Sequence, residues 1–297
     1  MAVVFLAAII VTGALVRLTD SGLGCTDWPN CERGTLVRVS NGHQAVEQIN
    51  RLFTGAMMIA VIVAVLASLR RVPRRRDLTW LSASLVFGVL GQAVVGGVVV
   101  LSHLHPAAVV WHFLLSIVVL TAALVLHQRA GEEGRYERTV TEPTLRLTRV
   151  VVALTGLAIV AGTVVTGAGP HSGHAADDPT KVRRFGVAIS SAARIHSGLV
   201  LCAVAAALLL ARRAMRGTDR KTLEEPVGQF LFACLFQGAV GYTQYFSGVP
   251  TPLVAIHVFG SVIVWITACR LLLACRRATG IEEASVVARV VVGSLGE

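Results

Sequence analysis

Apolar residues dominate eight stretches of the chain, at about 2–18, 46–69, 78–102, 107–127, 148–168, 188–211, 227–247 and 252–275, with polar or charged turns between them. Their lengths are close to the roughly 20 residues that a helix needs to cross the hydrocarbon core of a bilayer. The pattern predicts an all-α integral membrane protein with eight transmembrane helices. The first stretch carries Arg17 at its far end but no charged leading region, and no small-residue cleavage site precedes Cys25. It therefore reads as a retained helix and not as a secretion signal. A segment rich in Glu, Arg and Thr with Gly and Pro, residues 131–147, divides the eight stretches into two sets of four. The expected organisation is an N-terminal half over 1–130, a cytoplasmic linker over 131–147, a C-terminal half over 148–280 and a cytoplasmic tail over 281–297.

The two halves share a polar pattern. Gln92, Gly96, Ser102 and His112 recur 145 residues later as Gln237, Gly241, Ser247 and His257, with every internal spacing kept. Each set crosses one apolar stretch, passes a polar turn and brings its histidine near the start of the next. A looser correspondence pairs Asn50 with His196, each preceded by isoleucine. The repeat predicts two pseudo-symmetric four-helix bundles with related sites.

Composition changes little in this picture: 54% of residues are hydrophobic and 15% charged. Charge adds orientation. The net charge of +10 is concentrated in Arg70–Arg76, Arg129–Arg149, Arg212–Lys221 and Arg270–Arg277, whereas the turns at 101–108 and 247–253 carry no Lys, Arg, Asp or Glu. By the positive-inside rule the basic segments and both termini are expected in the cytoplasm, which makes this a multi-pass protein of the cell membrane. Charge that sets topology argues against a nucleic-acid partner and for contact with lipid headgroups. Loops 19–44 and 169–187 then lie outside, and His43, His112, His196 and His257 all fall toward that side.

His196 and His257, on different helices at similar depth, are candidates to clamp one haem iron between neutral imidazoles, inside a bundle that covers the porphyrin faces. Gly198 and Gly260 are expected to leave space beside them. Hydrogen bonding between helices is the plain alternative for intramembrane histidines; the repetition of the pair favours ligation. In the first half His112 corresponds to His257, but Asn50, a poor haem ligand, stands in place of His196. His43, Glu47, Asn50 and Arg51 lie along one helical face. A carboxylate there is costly unless paired; Glu47 is either a proton or cation handler or the partner of Arg51 in an i,i+4 salt bridge.

Cys25 and Cys31 bracket five residues in an outer loop, so a disulfide is expected, with Pro29 and Asn30 turning the chain. Cys202, Cys234, Cys269 and Cys275 read as small apolar fillers. His103, His105, His171 and His174 read as solvated loop residues, and His127 as a cation at a helix end.

The run from Gly13 through Arg17, Thr19, Ser21, Gly22, Cys25, Trp28 and Pro29 to Cys31 resembles the opening signature of the haem A synthase family. Glu47-Gln-Ile-Asn50-Arg51 resembles its Glu-x-x-His-Arg element, with Asn50 departing from it, and His112, His196 and His257 match its other histidines. The resemblance extends to about residue 275. It implies oxidation of a methyl group of haem O to the formyl group of haem A. It further implies a haem b held by His196 and His257, substrate haem O near His112, and Glu47 as the catalytic carboxylate. His43, Asn50 and Arg51 join the substrate-haem candidates. Haem O synthase and the assembly of haem-A-containing cytochrome oxidase are the partners it implies. No dinucleotide fingerprint is present, so the electron acceptor is expected to be external or a quinone.

Two other readings compete. A cytochrome b-like electron carrier without a haem substrate predicts a second bis-histidine site, against which Asn50 stands. A transporter also suits internal repeats, but transporters tend to bind at the midplane, and here the polar groups cluster toward one surface.

Overall fold

All eight apolar stretches are helical. The computed structural model describes residues 2–32, 34–171 and 183–279. Among them are α1 (Ala2–Leu18), α2 (Gly42–Arg70), α3 (Arg76–Leu101), α4 (Pro106–Gly131), α5 (Glu142–Ala168), α6 (Ile189–Arg216), α7 (Arg220–Phe246) and α8 (Thr251–Ala274). Two four-residue strands, β1 (Arg135–Arg138) and β2 (Arg276–Thr279), complete the described elements. Six helices, α2 to α6 and α8, are long and apolar enough to cross a membrane, so the chain is a multi-pass membrane protein. The expected eight spans are met by these six on length and composition. α1 is apolar but has 17 residues, and α7 is diluted by Gln229, Gln237, Gln244 and a charged first two turns. Large apolar side chains such as Phe87, Trp111, Phe232 and Leu235 are exposed, as lipid-facing positions are.

Six of the helices, all but α1 and α6, start earlier than their apolar runs because backbone hydrogen bonding continues past the membrane until something ends it. The α2 N-terminus is set by Asn41, whose side-chain oxygen accepts the Gln44 N–H at 2.9 Å. The region expected as the linker, 131–147, contains regular structure: β1 pairs antiparallel with β2, from Arg138 opposite Arg276 to Arg135 opposite Thr279, and α5 begins at Glu142. Arg75 donates to the carbonyl of Arg129 at 3.0 Å and Gln128 donates to that of Leu273 at 3.3 Å, binding the helix ends on this side to one another. The tail over 281–297 lies outside the described residues.

Packing follows chain order. α1 contacts α2 and α4, with α2 on α3 and α3 on α4; α5 contacts α6 and α8, with α6 on α7 and α7 on α8. Each set surrounds a buried cluster, one including Val151, Leu210, Phe230 and Leu271, the other Leu6, Met57, Leu85 and Leu120. The second cluster also takes in Val262 and Cys269 of α8. Trp265 of the same helix donates its indole N–H to Thr121 Oγ1 of α4 at 2.8 Å, so α8 serves both sets.

Candidate functional site

The turns that lead into α4 and α8 repeat in backbone geometry as well as in sequence. Ser102 and Ser247 have φ near −89° and ψ of 8°. Leu104 and Val249, 145 residues apart, both adopt positive φ, 57° and 59°, which non-glycine residues seldom do. The amides of Ser102, His103 and Leu104 bond to the carbonyls of Val98, Val100 and Val99, and those of Ser247, Gly248 and Val249 to Thr243, Tyr245 and Gln244. Each turn delivers a histidine to the second turn of the following helix.

In the second half the His196 and His257 rings face each other with centroids 6.4 Å apart and planes at 74°. Two imidazoles sharing one metal through bonds of about 2 Å each hold their ring centres roughly 6 Å apart, so the spacing fits one iron between them. His196 Nδ1 lies 2.8 Å from the Ala158 carbonyl. A carbonyl only accepts, so this nitrogen carries the proton and Nε2 keeps its lone pair for a metal. His257 Nδ1 is buried and has no hydrogen-bond partner among the described residues. Glycines seat both rings: a methyl at Gly162 would meet His196 Cε1 at 3.1 Å, and one at Gly241 would meet His257 Cε1 at 2.9 Å. Gly260 does not give the free space expected of it, because the Gln237 amide fills that position. Gln237 also donates to the His257 carbonyl at 2.8 Å, fixing the helical turn that carries this histidine. Gly198 does face open space.

The first half repeats half of this arrangement. His112 rests against Gly96, its Nδ1 is buried with no partner among the described residues, and Gln92 donates to its carbonyl at 3.2 Å and to Ser116 Oγ at 2.7 Å. Asn50, at the His196 position, accepts a hydrogen bond from Thr12 of α1 at 2.9 Å. His43 is exposed in the first turn of α2, with Nδ1 3.1 Å from Ser21 Oγ.

Glu47 and Arg51 engage the loop between α1 and α2. Glu47 Oε2 accepts the Cys25 N–H at 2.8 Å, and Oε1 pairs with Arg51 Nη2 at 2.7 Å. Arg51 also donates to the carbonyls of Asp27, Pro29 and Asn30. Inside that loop Cys25 and Cys31 form the expected disulfide, and both are fully buried. Gln48, which the sequence did not single out, donates to Cys25 Sγ and to the Leu36 carbonyl. The loop's Trp28 presses onto α3, where a methyl at Gly97 would approach its Cδ2 to 2.8 Å.

Several weaker expectations change. His105 is not merely solvated: its Nδ1 accepts the Ala107 N–H and caps α4. His171 lies 2.9 Å from the Val249 carbonyl and joins the segment after α5 to the turn before α8. His174 lies outside the described residues. Cys234, Cys269 and Cys275 are buried as expected, but Cys202 is exposed on the helix surface. The Gln92–Gln237 and Gly96–Gly241 correspondences were the sequence signal for the seats and ties described above; the Ala158 carbonyl left none because a main-chain group has no residue signature, although Ala158 follows Thr12 by the same 146 residues as His196 follows Asn50.

The sequence profile of a family described as cytochrome oxidase assembly protein (COX15-CtaA) matches residues 1–48 and 37–269. Relatives named heme A synthase include one from Lysinibacillus sphaericus, 31% identical over 135 residues, which are 45% of this chain and 44% of that protein. Another, from Shewanella oneidensis, is 26% identical over 191 residues, 58% of this chain and 56% of the relative. A third, from Bacillus pumilus, is 30% identical over 137 residues, 46% and 44% of the respective lengths. The chain thus spans about half the length of the curated relatives it matches.

Proposed function

The chain belongs to the cytochrome oxidase assembly family COX15-CtaA, and on that premise we propose that it is a haem A synthase. Its substrate is haem O, and the reaction turns one porphyrin methyl group into a formyl group. In balance, a methyl carbon and one water give an aldehyde, four electrons and four protons; the electrons pass to an external or quinone acceptor. The two sets of four helices are read as pseudo-symmetric bundles, residues 1–130 for the substrate and 148–280 for a resident haem b. All eight helices span the membrane in this reading, with the basic ends and both termini in the cytoplasm and the histidines toward the outside.

The observation that carries the reading is the His196–His257 pair, with ring centres 6.4 Å apart and one Nδ1 committed to a carbonyl. When bound there, haem b supplies one-electron transfer between the substrate and the acceptor. His112 is the proposed axial ligand of the substrate iron. His43 and Asn50, the latter bonded to Thr12, are the candidates for the second side of the substrate iron, with Arg51 as a neighbouring cation. Glu47 is the carboxylate that takes a proton from the methyl carbon or stabilises positive charge on it. Arg51 and the Cys25 amide hold it in one orientation for that task.

The test is haem extraction and spectroscopy of the purified protein. The synthase should hold low-spin haem b together with haem O or haem A. Haem b alone, with haem O left unchanged after incubation with an electron acceptor, would reduce the chain to an electron carrier.

A further inference from the structure

Trp28 and His112 rest on consecutive residues of one helix. Gly97 lies under the indole and Gly96 under the imidazole, about 1.5 Å apart in rise and 100° in azimuth on α3. We propose that Trp28 is a positioning residue for the substrate porphyrin, forming a side wall beside the His112 ring that selects which methyl group faces Glu47. The inference rests on the reading of His112 as ligand of the substrate iron.

The chemistry calls for such a wall. Axial ligation leaves a porphyrin free to turn about the iron–nitrogen axis, and a second ligand on the same axis would not restrict it. Oxidation at a single methyl then needs a surface that breaks the rotational freedom. Indole is suited to this, because it offers a flat, rigid face for stacking against a macrocycle edge or plane. Trp28 is 37% exposed although it presses on α3, so much of its surface is not consumed by protein packing. It is also fixed relative to the proposed catalytic group: Glu47 holds the Cys25 amide, Arg51 holds the carbonyls of Asp27, Pro29 and Asn30, and the disulfide closes the loop.

The second half is built differently at the same place. The residue 145 positions after Gly97 is Tyr242, which is 51% exposed and stacks on Phe246 with centroids 6.3 Å apart. A tyrosine side chain there removes the bare helix surface on which an indole can lie. The difference falls between the half that must orient a substrate and the half that keeps a symmetrically clamped cofactor.

Titration of haem O into the purified protein with its haem b in place, followed by absorbance, tests this. Trp28→Ala should weaken binding of the added haem by about three- to tenfold, the range expected for one lost aromatic contact, and leave the haem b spectrum unchanged. Trp28→Phe should restore affinity to within about twofold. Gly97→Ala, which keeps Trp28 but displaces its ring, should reproduce the Trp28→Ala loss. Unchanged affinity in both Trp28→Ala and Gly97→Ala overturns the proposal, as does a Trp28→Phe protein as weak as Trp28→Ala. His112→Ala separates the two levels of the argument. If it leaves the added haem's affinity unchanged, the substrate-site reading fails; if it weakens binding and the Trp28 and Gly97 variants do not, the wall alone is wrong.

Discussion

The sequence offers two accounts of Glu47, a catalytic carboxylate or the partner of Arg51, and the structure shows the Arg51 pair together with a second, main-chain contact. One oxygen takes Arg51 and the other takes the Cys25 amide. Glu47→Gln keeps an acceptor for the amide and removes the charge. We expect haem b to remain, haem A production to stop and haem O or its alcohol to accumulate, as read by haem extraction. A purely structural Glu47 predicts instead a stability loss of about 1–3 kcal/mol with haem A still made. At the proposed haem b ligands, His196→Ala or His257→Ala should abolish the low-spin haem b spectrum. Gly241→Val should do the same with both histidines intact, because its Cβ alone would stand 2.9 Å from the His257 ring; an unchanged spectrum would remove Gly241 from the site. The histidines were legible in the sequence because they repeat with fixed spacing. The Ala158 carbonyl was not, since every residue carries one and only the helix crossing selects which faces His196.

At the scale of elements, hydropathy located all eight helices but not their ends. Apolar composition tracks the lipid, whereas the helix continues into water until a cap such as Asn41 stops it. The ribbon of β1 and β2 was illegible for another reason: its arginine-rich strands have no apolar alternation, and their pairing joins residues far apart in the chain. Gln237 ties α7 to α8 through the His257 carbonyl, yet its Oε1 is buried without a partner. Gln237→Leu loses a bond worth about 1 kcal/mol and also an orphaned acceptor, so the terms largely cancel. We expect a thermal stability change below about 1 kcal/mol with a shifted haem b midpoint potential. A large stability loss with an unmoved potential would show that Gln237 is a structural tie only.

For the whole molecule, the outer loop offers a direct reading of topology. Cys25 and Cys31 should resist a membrane-impermeant thiol reagent until a reductant is added, and should then label from outside intact cells. Labelling without reduction would contradict the disulfide, and labelling only in opened cells would reverse the orientation. The sharing of α8 between the two sets of helices was not foreseen, since the internal repeat invites a division into equal halves. That sharing has a consequence for biosynthesis. The chain leaves the ribosome from α1 onward, so the first four helices are inserted while Val262 and Cys269, which complete their core, are still unmade. Thr121 must likewise wait for the indole of Trp265. Maturation of the earlier-made half is thereby gated by the eighth helix, and a nascent chain arrested after α7 leaves that half open to the proteases that survey the membrane.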